Sequence, residues 1–383
     1  MSEYVNRLLT NRVEDVPKNK AVIIFGARQV GKTTLLKHIF RNEKTRWFTG
    51  DDPSDVNFLS SISSTPDLKM LLDSAKNIII DEAQRIPSVG MLIKRVIDLE
   101  SSTRLFVTGS SSLDLAGGVY ESATGRVRPL TLWPLSAEEI ALHSSWFDVV
   151  RSLPERMILG NYPSVVLNPK EAKENLKTYI DGVLFKDIFA YAGVRKHPSF
   201  MRLVQVLAYR IGSLSTTDSL ARECGLNAGT IESYLGLLEE CFIIKVLPSF
   251  ARNLANELRK SKKIYFCDLG IRNAIINNFS PFSTRTPEEQ GMLFENYFII
   301  ERIKLHSYSN SFVSHYFWRN KSASEIDLIE EKDNQIHAFE LKLSRDHVKV
   351  PPTFAKAYPE ASFDVVNEKN FYQFPRPLFN SIF

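Results

Sequence analysis

The chain has 383 residues, 44% of them hydrophobic and 24% charged, with a formal net charge of +4. That length fits two or three domains, each able to bury a core, and the composition excludes a disordered or fibrous protein. So small a net charge leaves any affinity for nucleic acid to a local patch. No apolar run approaches the ~20 residues of a membrane helix. Cys224, Cys241 and Cys267 form no C-x-x-C pair, which points to a reducing cytoplasm and away from zinc or disulfides. The stretch Met1–Val16 carries acids and lacks an apolar h-region, so a short helix is expected there and no secretory signal.

Ala21–Leu36 reads AVIIFGARQVGKTTLL. The run Val22-Ile23-Ile24-Phe25 has the length and content of a buried parallel strand. A complete G-x-x-x-x-G-K-[ST] follows, and then Leu35, Leu36 and Ile39 recur at helical spacing. Strand, glycine loop and helix are the context that makes this signature a phosphate cradle: successive N–H groups and the positive helix end face an anion. The expected ATP contacts are Gly26, Ala27, Arg28, Gln29, Val30, Gly31, Lys32, Thr33 and Thr34. Lys32 reaches the β and γ phosphates, and the Thr33 hydroxyl binds Mg²⁺.

Arg46–Gly50 reads as a second strand, with Asp51-Asp52-Pro53 as a turn. Asn77-Ile78-Ile79-Ile80-Asp81-Glu82 is a hydrophobic strand ending in two acids, a Walker B pattern. Asp81 is expected to hold Mg²⁺, and Glu82 to orient and activate the attacking water. Arg104–Ser112 is a strand running into hydroxyls, where Ser110, or alternatively Thr108, would sense the γ-phosphate; capping of the next helix is the plainer alternative for those hydroxyls. Gly125-Arg126-Val127-Arg128 precedes a further strand, Pro129–Trp133. Arg126 is the candidate arginine finger, in cis or across a subunit interface, with a surface ion pair as the alternative.

GARQVGKTTLL, IIIDEAQ, the TGSSS strand and GRVRPLTLWPLS together resemble a large group of prokaryotic AAA/STAND-type ATPases that carry a C-terminal domain of unknown function. The resemblance spans nearly the whole chain. It implies an α/β fold with a doubly wound, additional-strand sheet and the P-loop strand near its centre. Ala27 stands where the group usually has Pro, and Asn161 where it usually has a second Gly.

Ser136-Ala137-Glu138-Glu139 is a capping box opening a helical lid and connector that runs to about Tyr191, interrupted by Gly160-Asn161-Tyr162-Pro163. Arg151 and Arg156 are further candidates for phosphate sensing. Between Phe200 and Pro248, two helices, a Gly225-Leu226-Asn227 turn, a third helix and a strand read as a winged helix-turn-helix. Asn227, Thr230, Glu232 and Ser233 would then face a DNA groove. The third helix carries Glu232, Glu239 and Glu240 but no Lys or Arg, so a rigid spacer is an equal reading. Basic residues Arg252, Arg259, Lys260, Lys262 and Lys263 follow the wing and are candidate phosphate contacts.

Lys263–Gly270 reads as a strand opening a C-terminal domain. A helix from Glu288 carries Glu295, and strands are expected at Ser314–Arg319, Glu325–Ile329 and His337–Leu343. Residues two apart in a strand share a face, so Glu340 and Lys342 point together. Asp327 followed by Glu340-x-Lys342 resembles the PD-(D/E)xK core of restriction-endonuclease-like folds, without the preceding Pro. That resemblance implies Mg²⁺ on Asp327 and Glu340, a water oriented by Lys342, and help from Glu295. Two amphipathic strands with solvated charges are the plainer alternative.

The expected domains are an ATPase core at 1–135, a lid and connector at 136–195, a winged helix at 196–262 and the nuclease-like domain at 263–383. Expected partners are ATP with Mg²⁺, DNA through the winged helix and nuclease-like domain, a nucleotide-dependent homo-oligomer, and no membrane. One functional reading is an ATPase that acts on DNA. The other is a nucleotide-controlled switch whose C-terminal domain is an inactive partner-binding platform.

Overall fold

Strand β1 (Ala21–Phe25) is buried along its whole length, as is β3 (Asn77–Asp81) up to its last residue. Uninterrupted apolar runs of this kind belong in a parallel sheet covered by helices on both faces. The computed structural model describes residues 4–17, 20–109, 125–184, 188–189, 197–250 and 261–374. The chain divides into two compact units, the first comprising Asn6–Trp133 with Glu240–Phe242.

In the first unit β1 and β3 join β2 (Thr45–Thr49), β4 (Arg104–Gly109) and β5 (Val127–Thr131) in a five-stranded sheet, order β2-β3-β4-β1-β5. Every pairing is parallel, with Ile23 opposite both Val107 and Pro129. The additional strand, β4, therefore separates the loop strand from the acid-tipped strand. β4 also takes the middle of the sheet, and β1 lies one position in from the edge, less central than expected.

The described helices of this unit are α1 (Thr10–Glu14), α2 (Lys32–Ile39), α3 (Pro53–Ser61), α4 (Thr65–Asp73) and α5 (Val89–Asp98). Leu68 and Leu72 of α4 and Leu92, Ile93 and Val96 of α5 pack with Ile23, Ile78, Ile80 and Val107 in one core. Leu35, Leu36 and Phe40 are buried as well, with the Phe40 ring 4.5 Å from that of Phe106.

The second unit comprises Met1–Val5, Pro134–Glu239 and Ile243–Phe383, so the expected boundaries at 195/196 and 262/263 fall inside it. It opens with α6 (Ala137–His143), where Ser136 and Glu139 form the expected reciprocal cap. After it come α7 (Trp146–Leu159), α8 (Pro163–Leu167) and α9 (Ala172–Tyr179). Helix α7 stops at Gly160, whose φ is 75° and where a Cβ would lie 2.0 Å from Asp268 Oδ1. Only glycine fits a left-handed position so close to another group. The N–H of Asn161 donates to Asp268 Oδ2 at 2.7 Å.

Next come α10 (His197–Tyr209), α11 (Thr217–Cys224) and α12 (Ala228–Glu240). Thr216 caps α11 and Gly225 closes it in the left-handed conformation. Strand β6 (Ile244–Pro248) pairs antiparallel with β7 (Lys262–Phe266), Val246 opposite Ile264, and Ser215 bridges to Lys262. β7 was expected to open the C-terminal domain. Its backbone bonds instead pair it with β6.

Beyond α13 (Leu269–Ile275) and α14 (Pro287–Tyr308) lie β8 (Ser314–Arg319), β9 (Glu325–Lys332), β10 (Gln335–Leu341), α15 (Pro352–Ala357) and β11 (Ser362–Val366). Their sheet has the order β11-β10-β9-β8, with β10 and β11 parallel and the other pairs antiparallel. Helix α14 buries Phe294, Phe298 and Ile299, but also Arg302, Lys304 and His306. Burial of polar groups is tolerated where they are bonded. Arg302 donates to both oxygens of Glu330 at 2.8 and 2.6 Å, and Lys304 to Leu135 O at 3.0 Å. Among the described residues no helix is long and apolar enough to cross a membrane.

Candidate functional site

The glycine loop begins where β1 ends. A Cβ on Gly26 would lie 2.2 Å from the Leu132 carbonyl oxygen, so the loop leaves the sheet along a path open only to glycine. Gln29 (φ 63°) and Gly31 (φ 97°) turn the backbone through the left-handed region and into α2. Arg7, 6% exposed, braces the loop from outside the motif, donating to Val30 O at 2.7 Å and Trp133 O at 2.6 Å. Nothing in the local sequence around Arg7 announces this.

Lys32 Nζ donates to Gly26 O at 2.8 Å and Ala27 O at 3.1 Å. Burial lowers the pKa of this ammonium, Glu82 and Asp81 pull it back up, and Arg28 adds to the lowering. The two acids thus favour the cationic form that phosphate binding requires.

Asp81 accepts from Thr33 Oγ1 at 2.8 Å through one oxygen and from Thr108 Oγ1 at 2.5 Å through the other. The Thr108 hydroxyl also accepts the N–H of Glu82 at 3.1 Å. Thr108 is fully buried, and its hydroxyl is engaged by Asp81 and Glu82. Glu82 holds a left-handed backbone (φ 48°), and its carboxylate accepts from Gln84 Nε2 at 2.7 Å. A Cβ on Gly50 would lie 2.3 Å from Glu82 O, and the Gly50 N–H donates to Asp81 O at 2.8 Å. Thr33, Asp81, Thr108 and Glu82 therefore form one bonded chain across helix α2 and strands β3 and β4. Thr33 and Asp81 side by side, beside Lys32, fit a hydrated Mg²⁺ on a triphosphate.

Ser110 lies outside the described residues. Arg126 does not join the site. Its carbonyl accepts from Ala21 N at 3.0 Å and its guanidinium pairs with Asp98, at the amino-terminal end of β1 and β5. The glycine loop is at the opposite end, five residues away, which is about 17 Å at ~3.3 Å per residue. A finger role on the same chain's phosphate is excluded by that separation. Arg156 is buried in the second unit and donates to Gly160 O at 3.4 Å.

A second polar cluster lies in the second unit. Lys342 Nζ is 2.7 Å from Glu340 Oε1 and 3.5 Å from Asp327 Oδ2, which also accepts the Leu341 N–H at 2.9 Å. Glu295 joins from α14, accepting the Tyr265 hydroxyl at 2.6 Å. All four residues singled out from the sequence are thus gathered together. Lys263, 3% exposed, is in their midst, its Nζ 2.9 Å from Glu295, 2.6 Å from Glu325 and 3.5 Å from Asp327.

These contacts correct the reading of the basic run after β6. Lys263 is buried among acids, and Lys262 Nζ lies 2.6 and 2.5 Å from the two oxygens of Glu232, which also accepts from Thr217. Neither is free to meet phosphate; Arg252, Arg259 and Lys260 lie outside the described residues. Asn227 Oδ1 accepts the Thr230 N–H at 2.7 Å, capping α12, and Ser233 donates to Gly229 O at 3.0 Å.

Burial and then Asp327 push the Glu340 carboxyl up to about 7, against the pull of Lys342. A carboxyl raised in the fold favours stability below its unfolded value and loses that benefit as pH rises through the folded one. Glu340→Gln is therefore expected to gain stability relative to the parent as pH rises from 4.5 to 7. Thermal unfolding of the two proteins across that range checks it, and parallel curves would contradict it.

Residues 18–141 match the family described as "AAA domain", residues 150–281 the "Domain of unknown function (DUF8612)" and residues 290–376 the "Domain of unknown function (DUF4143)". With the parallel sheet, these findings make the amino-terminal unit a P-loop ATPase domain of the AAA type, supporting ATP binding and hydrolysis. The chain is 28% identical over 327 residues to "Uncharacterized protein Rv2008c" of Mycobacterium tuberculosis, covering 84% of this chain and 70% of that protein. It is 23% identical over 377 residues to "Uncharacterized protein MJ1544" of Methanocaldococcus jannaschii, covering 92% and 81%. Among solved structures, the Walker-type ATPase PABY2304 of Pyrococcus abyssi overlaps 70% of this chain and 94% of its own at 14% identity, with a TM-score of 0.48.

Proposed function

We propose that the protein is a Mg²⁺-dependent ATPase whose nucleotide state switches a partner-binding second unit. The bonded chain Thr33–Asp81–Thr108–Glu82 carries the first half of this reading. Lys32 and the loop N–H groups would hold the triphosphate, while Thr33 and Asp81 would hold the metal, which neutralises charge on the β and γ oxygens when bound. Glu82 is then left to orient a water and take its proton. Its strained left-handed backbone, fixed by Thr108 and Gly50, directs the carboxylate independently of Asp81. Ser110 keeps its proposed place as γ-phosphate sensor. Arg126 keeps only a trans role, as a finger offered to a second copy in a nucleotide-dependent oligomer.

A second reading, action on DNA, is supported by two features of element order. Helices α10 to α12 followed by β6 and β7 have the order of a winged helix. α14, β8, β9, β10, α15 and β11 follow the α-β-β-β-α-β order of a nuclease-like core. Against a DNA role stand the acidic face of α12 and the use of Lys262 by Glu232. Steady-state ATPase rates with and without Mg²⁺, single-stranded DNA and double-stranded DNA separate the two. We expect turnover that needs Mg²⁺ and ignores DNA; a severalfold stimulation by either DNA form would replace the switch with a DNA-acting ATPase. No hydrolysis under any condition would sink both.

A further inference from the structure

A nuclease-like core of this kind implies a divalent metal held by carboxylate oxygens at 2.0–2.6 Å. The donor set here does not fit one. Glu295, Glu325 and Asp327 converge on a point already filled by the Lys263 ammonium, which has three N–H donors and meets three carboxylates. An ammonium has no lone pair to give a metal. The side chain is also held in place. β7 is bonded to β6 on one edge and to Gly212 on the other, with the Gly212 N–H donating to Ile264 O at 3.0 Å. The Phe317 ring lies 5.9 Å from Nζ.

The rest of the cluster is occupied in the same way. Asp327 faces Lys263 through Oδ1 and Lys342 through Oδ2, and Glu325 is also bound by Arg319 at 2.6 Å. Four carboxylates are met by three cations, so a further divalent charge would leave the cluster in excess of positive charge. Glu340 Oε2 is buried without a hydrogen-bond partner, but a single oxygen does not make a metal site.

We propose that Lys263 is the permanent cation of this cluster. Its ammonium takes the position of the metal, and this cluster therefore holds no catalytic metal and supports no metal-dependent cleavage of a phosphodiester. This rests on the nuclease-like reading of the α14–β11 core, and it turns that core into a fixed, metal-free ion network.

The test uses the nucleotide-free full chain and Mn²⁺ as the probe, with free ion counted by its paramagnetic resonance. Each protein is compared with its Asp327→Asn counterpart, so that binding elsewhere cancels. The parent is expected to bind Mn²⁺ equally with and without Asp327. Lys263→Met is expected to gain one site that Asp327→Asn removes again. Lys263→Met/Glu325→Gln, which restores the charge balance, serves where the single variant does not fold.

Asp327-dependent Mn²⁺ binding in the parent would overturn the inference and leave the nuclease-like reading standing. Folded Lys263 variants that gain no site would overturn it differently. They would show that the carboxylates are not a metal constellation at all, and the nuclease-like reading would fall with the inference. Should neither variant fold, the parent and its Asp327→Asn form decide alone: equal binding supports the proposal and unequal binding refutes it.

Discussion

Glu82→Gln is expected to bind ATP about as well as the parent and to hydrolyse it roughly 10²–10⁴-fold more slowly, the range for loss of a positioned general base. The substitution keeps the size of the side chain and an oxygen for Gln84 Nε2, which now bonds the carboxylate at 2.7 Å. It leaves untouched the Thr33 and Thr108 bonds to Asp81. Only the proton acceptor is lost. Lys32→Ala should behave differently, weakening ATP binding itself, because the ammonium is part of the cradle. Equilibrium binding of a fluorescent ATP analogue, alongside single-turnover hydrolysis, separates the two defects. Parent-like hydrolysis by Glu82→Gln would remove Glu82 from the chemistry.

The largest effect on stability is expected in the second unit. Glu330 is fully buried and Arg302 is 1% exposed, joined by two hydrogen bonds and flanked by His306 at 3.0 Å. Removing one partner leaves an uncompensated buried charge, which costs about 3–5 kcal/mol. Glu330→Ala should therefore destabilise the unit by that amount, whereas Arg302→Met/Glu330→Met should lose far less. Denaturant unfolding of the three proteins measures it, and equal losses in single and double variants would refute the account.

The same pair sets an acid limit. Burial opposes ionisation of Glu330, but Arg302 and His306 hold its carboxyl far below the ordinary 4.5. A depressed carboxyl contributes stability above its unfolded pKa and loses it as pH falls. The parent should thus lose stability below about pH 4.5 through this group, and the double variant should not.

What could be read from the sequence divides by the range of the contacts. The glycine loop and the Asp81-Glu82 tip are local patterns, and each lies on the strand and turn its sequence implies. Thr108 was half visible: a hydroxyl at the end of β4 was expected to matter, but its two bonds into the neighbouring strand could not be foreseen. Lys263 was read as a candidate phosphate contact. Its partners lie 32 and 64 positions away on α14 and β9, and β7 had been given to the wrong neighbour. Helix α14 hides its packing for another reason. Buried along most of its surface, with Arg302 and Lys304 inside, it lacks the single apolar stripe by which helices are read. Arg126 stands at the end of β5 away from the glycine loop, which removes the in-cis half of its expected role and leaves the trans half as a proposal.

The Arg7 brace changes where the ATPase begins. Sequence similarity to AAA domains starts at residue 18, yet the guanidinium that fixes Val30 and Trp133 is contributed eleven positions earlier. One side chain thereby ties the middle of the glycine loop to the exit of the neighbouring strand β5. A fragment cut to the matched segment would carry every motif residue and still lack its fastener. The catalytic unit is better delimited by that bond than by the extent of its signature.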